Sequence, residues 1–197
     1  KIILMKRVGN VLIVVTVLVV VVVGIYVFGQ RSVEKTLDKK SLTEEQKTMD
    51  TLSIKSPAFE RNGMMPALYT CDGNDISPPL EISGVPESAK SLVLIMDDPD
   101  AVGGRTWDHW VVFNLQPATE NIEQGKEPVG IPGENSWGRT GYGGPCPPSG
   151  THRYFFKLYA LDAVLDLPAG ATKQEVEKAM EGRVLEKTEM VGLYKRE

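Results

Sequence analysis

The residues best suited to chemistry begin with three carboxylates around a proline, in the sequence D-D-P-D at 97–100. An apolar run at 92–96 precedes them, and a second apolar run at 110–115 follows His109. Short apolar runs of this length are typical of buried strands, so we expect the acids where one strand ends and the histidine where the next begins. This arrangement predicts a pocket at one edge of a sheet, although Asp-Pro-Asp is also a common turn sequence.

The second histidine of the chain, His152, lies near the start of the aromatic run T-H-R-Y-F-F-K-L-Y-A-L at 151–161. Period-two alternation places Tyr154 and every second residue up to Ala160 on one face of a strand. The preceding segment, 136–150, has too much Gly and Pro for a helix or a sheet interior. Long irregular loops in compact domains are usually functional, so we expect this loop to border the pocket.

The remaining pattern predicts a mainly β domain with one or two short helices. Residues 52–54 and 76–82 are expected to be short strands, the second at a sheet edge because it contains two prolines. The sequence T-K-Q-E at 172–175 is a capping box and predicts a helix that ends at Gly182. Residues 184–194 are expected to form a last strand or a short helix.

Composition excludes several classes of function. The chain has 197 residues and a formal net charge of −4, which suits one globular domain plus an appendage and does not favour nucleic acid as a partner. Two histidines and scattered aspartates have no metal-ligand spacing, so no metal or cofactor is expected. The sequence contains no G-x-S-x-G elbow and no P-loop, and we therefore expect a protein that is not an enzyme.

The appendage is an uncharged apolar segment at residues 8–28. As a helix it reaches about 31 Å, enough to cross the hydrocarbon core of a membrane. No small-residue cleavage site follows, so we expect an N-terminal transmembrane anchor at 1–29 rather than a signal peptide. A polar tether at 30–51 and a folded domain at 52–197 come next. Basic residues flank the span on both sides, and the short basic tail before it favours an extracytoplasmic domain.

Several ordered motifs give the domain a family resemblance. They are D-P-D-A at 98–101, W-D-H-W-V-V-F-N-L at 107–115 and G-R-T-G-Y-G-G-P-C-P-P-S-G-T-H-R-Y-F-F-K-L-Y-A-L at 138–161. Over roughly residues 53–195 the chain resembles the phosphatidylethanolamine-binding proteins, in particular their bacterial and archaeal Raf-kinase-inhibitor-like branch. The resemblance implies an antiparallel β-sandwich with a small anion-binding pocket at one end.

The pocket residues follow from these motifs, with a candidate from the C-terminal tail. The expected ligand-binding residues are Asp98, Asp100, His109, Gly144, Pro145, His152, Tyr154 and Tyr194. Two imidazoles and nearby backbone amides can donate to a phosphoryl group, and adjacent carboxylates favour protonated histidine and suit an ammonium group. The glycine allows a close approach of the chain to a ligand, and the proline stiffens the loop. Val102 departs from the family pattern, which has a second proline there.

Cys71 and Cys146 lie in loops expected near this pocket. Outside the cell, a disulfide between them would fix the loop rich in Gly and Pro at 136–150, the Gly/Pro loop. Two reduced thiols are the alternative, and the sequence does not choose between them.

Together these features predict a membrane-tethered binding module for a small phosphorylated or anionic ligand, or for a phospholipid head group. The resemblance also allows a kinase or a serine protease as a partner. One alternative is a serine protease inhibitor that acts through an exposed loop at 125–138. Another is a hydrolase that uses Asp98 or His109 as a general base, or Cys146 beside His152 as a nucleophile and base.

Overall fold

The computed structural model describes residues 51–196 of the chain. The anchor predicted at 1–29 lies outside this range, as does the tether at 30–51 except for its last residue. Within the described range, no helix is long and apolar enough to span a membrane. The first strand begins at Ser53, next to the predicted start of the folded domain.

Two sheets pack against each other around a shared apolar core. The strands are, in chain order, β1 (Ser53–Lys55), β2 (Gly63–Met64), β3 (Leu80–Ser83), β4 (Ser91–Asp98), β5 (Trp107–Leu115), β6 (Asn121–Ile122), β7 (Ile131–Pro132), β8 (Thr151–Leu161) and β9 (Val184–Lys195). The larger sheet has the order β2-β9-β8-β4-β5-β7 and the smaller has the order β1-β3-β6. All neighbouring strands are antiparallel except β2 and β9. The predicted antiparallel β-sandwich is confirmed.

Two predicted elements differ in extent from the observed ones. The strand expected at 76–82 begins only at Leu80, because Pro78 and Pro79 have no N–H to donate to a neighbouring strand. The C-terminal segment, predicted as a strand or a short helix, is a strand. It pairs with β8 from Lys195 back to Val184.

The single α-helix among the described residues, α1 (Lys173–Met180), packs on the outer face of the larger sheet. Its predicted capping box is confirmed, since Thr172 accepts from the Glu175 N–H and the Glu175 carboxylate accepts from the Thr172 N–H. Gly182 follows the helix with φ +72°, a conformation that suits glycine after a C-terminus. A short 3-10 helix at Ala67–Tyr69 lies before β3.

β4 lies at the centre of the larger sheet and is buried on both faces. Leu92, Leu94 and Met96 face the core between the sheets. Val93 and Ile95 face the second apolar cluster, under α1. Burial on both sides explains why this strand is a continuous apolar run rather than an alternating one.

Candidate functional site

A β-bulge in β5 brings His109 to the face of the larger sheet that is turned towards the smaller sheet. The register of β4 against β5 shifts after Met96, so Asp97 lies opposite Asp108 and His109 is an extra residue in β5. A one-residue shift reverses the face to which the neighbouring side chains point. Asp108 therefore points towards α1, whereas His109 lies against Tyr154 on the sandwich side.

Asp98 fixes the imidazole of His152. Nδ1 of His152 lies 2.7 Å from Oδ2 of Asp98, and both side chains are buried. The other carboxylate oxygen of Asp98 accepts the N–H of Asp100 at 2.8 Å. A carboxylate can only accept, so Nδ1 of His152 donates and Nε2 is the ring nitrogen left for a ligand.

The backbone of the Gly/Pro loop fixes the imidazole of His109. Nδ1 of His109 lies 2.6 Å from the carbonyl oxygen of Gly143, and the Gly143 N–H donates to the His109 carbonyl. Because a carbonyl only accepts, Nδ1 carries the proton and the neutral ring has a bare Nε2. Burial lowers the pKa of His109, against the opposing effects of the Gly143 carbonyl and of Asp98. Protonation changes Nε2 from an acceptor into a donor.

The hydroxyl of Tyr154 is buried and has no hydrogen-bond partner among residues 51–196. Its ring lies edge-on to His109, with centroids 5.2 Å apart, and is stacked with His152 at 6.5 Å. Burial raises the pKa of Tyr154, and the charges of Asp98 and Asp100 raise it further. A buried hydroxyl without a partner costs about 1–3 kcal/mol. A ligand or water that accepts from it would remove this cost.

Tyr194 lies opposite His152 with its hydroxyl already engaged. On β9 it is the register partner of His152. Its hydroxyl donates to Asp72 at 2.8 Å, and Arg196 binds the same carboxylate. Tyr194 therefore holds the loop that follows the 3-10 helix against β9.

Asp100 is turned towards Arg153 on β8. Its carboxylate accepts from Nε, Nη2 and the backbone N–H of Arg153 at 2.8, 2.7 and 3.0 Å. The hydrogen bonds of the Arg153 guanidinium lower the pKa of Asp100. This bidentate pair ties the D-P-D turn, which also carries Asp98, to β8.

Gly144 and Pro145 lie in the loop beside His109, and neither offers a free N–H. The Gly144 N–H donates to Oδ1 of Asp75 at 2.6 Å, and proline has no N–H. The carbonyl of Pro145 accepts from the Cys71 N–H. The backbone donors expected from this part of the loop are thus engaged within the domain. The loop contributes instead by holding His109.

A disulfide joins Cys71 to Cys146. Both residues are exposed at the surface. The bond links the loop after the 3-10 helix to the Gly/Pro loop, so the structure has the first of the two alternatives left open by the sequence. In this form Cys146 cannot act as a nucleophile beside His152.

Trp137 is a wall of the site that the sequence pattern did not single out. Its ring lies edge-on to His109 and to Trp107, with centroids 5.1 and 5.4 Å apart. A Cβ on Gly143 would lie 2.4 Å from this ring, so the glycine makes room for it. The sequence signal that could have identified Trp137 is its position in the Gly/Pro loop, within S-W-G-R at 136–139.

The site therefore collects His109, His152 and Tyr154, with Asp98 behind one imidazole. With neutral rings it offers one donor, the Tyr154 hydroxyl, and two bare nitrogens; with protonated rings it offers three donors. Three donors on neighbouring side chains suit a phosphate-sized anion. Within residues 51–196, no three His, Cys, Asp or Glu side chains are grouped so that they could hold a metal ion.

Comparisons with known proteins place the domain in a family. A family model described as phosphatidylethanolamine-binding protein matches residues 55–195. A UPF0098 protein of Methanothermobacter thermautotrophicus is 53% identical over 151 residues, which cover 74% of this chain and 99% of the relative. A UPF0098 protein of Pyrococcus horikoshii is 50% identical over 157 residues, which cover 75% of this chain and 79% of the relative.

Solved structures have the same fold. A Chlamydia trachomatis protein, described as a phosphatidylethanolamine-binding protein homolog, has a TM-score of 0.73 at 41% identity and covers 75% of this chain and 99% of its own. Escherichia coli YbcL, described as a member of the mammalian family, has a TM-score of 0.69 at 28% identity, with 74% and 99% covered. The resemblance read from the motifs is confirmed. The chain belongs to the phosphatidylethanolamine-binding protein family and is of the UPF0098 type.

Proposed function

We propose that this domain is a non-enzymatic binding module for a small phosphorylated or otherwise anionic ligand, such as a phospholipid head group. The observation that carries the proposal is the buried, unpartnered hydroxyl of Tyr154, which lies against the rings of His109 and His152. A buried donor without a partner is rare in proteins and calls for an acceptor from outside the domain. An anionic oxygen is the acceptor that two adjacent imidazoles also suit.

Binding of the anion is coupled to the uptake of a proton in this proposal. Neutral His109 presents the lone pair of Nε2, which repels an anionic oxygen, whereas the imidazolium presents an N–H and a positive charge. Burial lowers the pKa of His109 in the ligand-free pocket, so much of the protonation accompanies binding. The carboxylate of Asp98, behind His152, suits the ammonium of an ethanolamine group.

The change Tyr154→Phe tests the proposal. It removes a buried hydroxyl that has no partner, so we expect unchanged stability or a gain of up to about 1 kcal/mol. The affinity for inorganic phosphate and for phosphoethanolamine should fall about tenfold, because a hydrogen bond to a charged ligand contributes about 1.5 kcal/mol. Calorimetry, together with NMR of both imidazoles, measures the affinity, and denaturant unfolding measures the stability.

Tyr159→Phe is the matched control, since Tyr159 lies on the opposite face of β8 and packs in the cluster under α1. It should leave phosphate affinity unchanged. If Tyr154→Phe binds phosphate as tightly as the unchanged protein does, or if neither imidazole responds to ligand, the anion pocket is wrong.

We also propose that residues 8–28 anchor the domain in a membrane, with the domain on the extracytoplasmic side. The uncharged apolar sequence supports the anchor. The disulfide supports an oxidising compartment. The full chain should stay in the membrane fraction after alkaline extraction, and its release would contradict the anchor.

The other predictions from the sequence concern partners and catalysis. A kinase or serine protease partner, inhibition through the loop at 125–138, and hydrolysis with Asp98 or His109 as a general base stay predictions. The route through Cys146 requires a reduced disulfide.

A further inference from the structure

A buried charge network lies on the back of the larger sheet, behind the pocket. Asp97 and Asp108 are register partners on β4 and β5, and they are 0% and 7% exposed. Like charges opposite each other in a sheet repel, so this pair needs a cation between them. Nζ of Lys173 lies 2.6 Å from Oδ2 of Asp97 and 2.9 Å from Oδ1 of Asp108. Lys157 adds a second ammonium, 2.7 Å from Oδ2 of Asp97.

The fold gives Lys173 a fixed position. It is the first residue of α1, directly after the capping residue Thr172, and the helix is held on the sheet by Val176 and Met180. Burial lowers the pKa of Lys173, but the hydrogen bonds and charges of Asp97 and Asp108 outweigh this and raise it. The ammonium therefore stays charged in the interior.

Each carboxylate of the network is the chain neighbour of a pocket residue. Asp97 precedes Asp98, and Asp108 precedes His109. The side chains of each pair point to opposite faces of the sheet, so only backbone separates the network from the pocket. The bulge in β5 is what allows Asp108 to reach Lys173 while His109 reaches Tyr154.

We propose that Lys173 is a positioning residue of the pocket: by bridging Asp97 and Asp108 it fixes the bulge that presents His109 and balances the charge behind that imidazole. Buried ion networks add little net stability compared with apolar packing, so a role in stability alone does not account for this one. One oxygen of Asp97 has no partner among the described residues, and no other cation is bonded to Asp108 there. Loss of Lys173 would therefore leave the Asp108 carboxylate unpaired.

Titratable and charged groups near His109 come from several elements of the fold. These groups are Asp98 and Asp97 on β4, Asp108 on β5, His152, Tyr154 and Lys157 on β8, and Lys173 on α1. Asp98, Asp108 and Asp97 each raise the pKa of His109. The ammonium of Lys173 is bonded to Asp97 and Asp108, and a positive charge there offsets the effect of these two carboxylates. Removing the charge of Lys173 should therefore raise the pKa of His109, and removing the charge of Asp108 should lower it.

The test is an NMR titration of the His109 imidazole in the ligand-free full chain. Lys173→Met should shift its midpoint to higher pH, Asp108→Asn should shift it to lower pH, and Lys173→Arg should leave it in place. A general loosening of the fold would raise the midpoint in every variant, because it would relieve the burial that lowers the pKa. Opposite shifts in Lys173→Met and Asp108→Asn therefore distinguish a network from a merely structural contact. If Lys173→Met does not fold, Lys173→Gln, which keeps a hydrogen-bond donor but not the charge, should give the same upward shift.

Ligand affinity supplies a second readout, which rests on the proposed function. At a pH where His109 is protonated in every variant, Lys173→Met should bind sulfate roughly three- to tenfold more weakly and Lys173→Arg should retain its affinity. Lys178→Met, at an exposed position of α1, should change neither readout.

Two results would overturn the inference. One is a midpoint of His109 that is the same in all variants, and the other is a shift in the same direction for Lys173→Met and Asp108→Asn. If the unchanged protein does not bind sulfate, the proposed function fails, but the ligand-free titration still decides the role of Lys173.

Discussion

The two histidines of the pocket are held in different ways, although each has Nδ1 bonded to the protein. Nδ1 of His109 meets a neutral carbonyl, that of Gly143, whereas Nδ1 of His152 meets the carboxylate of Asp98. His109 is also 2% exposed. In the proposed function, His109 is therefore the residue that links anion binding to pH.

The pH dependence of sulfate binding tests this at the level of one residue. Sulfate keeps its charge between about pH 8 and about pH 5.5, so a change in affinity over this range belongs to the protein. We expect affinity to rise as pH falls, because protonated His109 donates to the anion. His109→Gln should bind sulfate more weakly and with a flatter pH profile, as measured by calorimetry. An affinity that does not change with pH in the unchanged protein would contradict this.

The stability of the ligand-free domain should decrease as pH falls, whereas the affinity for sulfate should increase. The pKa of His109 in the folded domain lies below its ordinary value of about 6.5, so the unfolded chain binds the proton first. The contribution of neutral His109 to stability is therefore fully present above the unfolded pKa of about 6.5, and it is lost as pH falls towards the pKa of the folded domain. The melting temperature of His109→Gln should therefore fall less on acidification.

At the level of elements, the Gly/Pro loop owes its shape to contacts with the loop after the 3-10 helix. The Tyr142 hydroxyl donates to the Tyr69 carbonyl at 2.7 Å, and the Gly144 N–H donates to Asp75. The disulfide closes the same pair of loops. A segment without regular structure can thus hold the carbonyl that orients His109.

Gly144→Ala tests the contribution of this loop. An added Cβ would lie 2.5 Å from Oδ1 of Asp75 and 2.7 Å from the Tyr69 carbonyl oxygen. We expect a loss of stability of about 1–3 kcal/mol, since the loop must move away from these atoms. Sulfate binding should weaken as the Gly143 carbonyl leaves His109. Denaturant unfolding and calorimetry measure the two effects.

Ser149→Ala is the control in the same loop, because Ser149 is exposed. It should change neither stability nor affinity. If Gly144→Ala behaves like this control, the loop does not hold the pocket in the way described.

At the level of the whole molecule, the larger sheet presents different polar residues on its two faces. The ends of β4 and β5 place Asp98 and His109 on the sandwich side and Asp97 and Asp108 on the α1 side. The apolar core between the sheets and the cluster under α1 hold these strands on both faces. The disulfide then joins two loops that are 75 residues apart in the chain.

Reduction of the disulfide tests this long-range link. In the chain-entropy account, a crosslink over this separation contributes about 4 kcal/mol. Cys146→Ser should therefore lower the melting temperature markedly and weaken sulfate binding. A reducing agent should do the same to the unchanged protein, because both cysteines are exposed. As a control, the reductant should not change the melting temperature of the variant with both cysteines replaced by serine. If it does not change the melting temperature of the unchanged protein either, the link is contradicted.

The sequence by itself determined the features that depend on neighbouring residues. The alternation after Tyr154 identified β8, and the capping box at Thr172 identified the start of α1. The ordered motifs identified the family and named His109, His152, Tyr154 and Asp98, which the structure brings together. Hydrophobic periodicity and capping act over a few residues, so a single stretch of chain carries the whole signal.

Only the tertiary structure decided features that depend on register and on distant segments. It placed Asp100 on Arg153, joined Cys71 to Cys146, and brought Lys173 between two aspartates. The bulge at His109 is the clearest case, since one extra residue changes which face each neighbouring side chain occupies. Register follows from the packing of the whole sheet against the second sheet and α1, and no local sequence pattern specifies it.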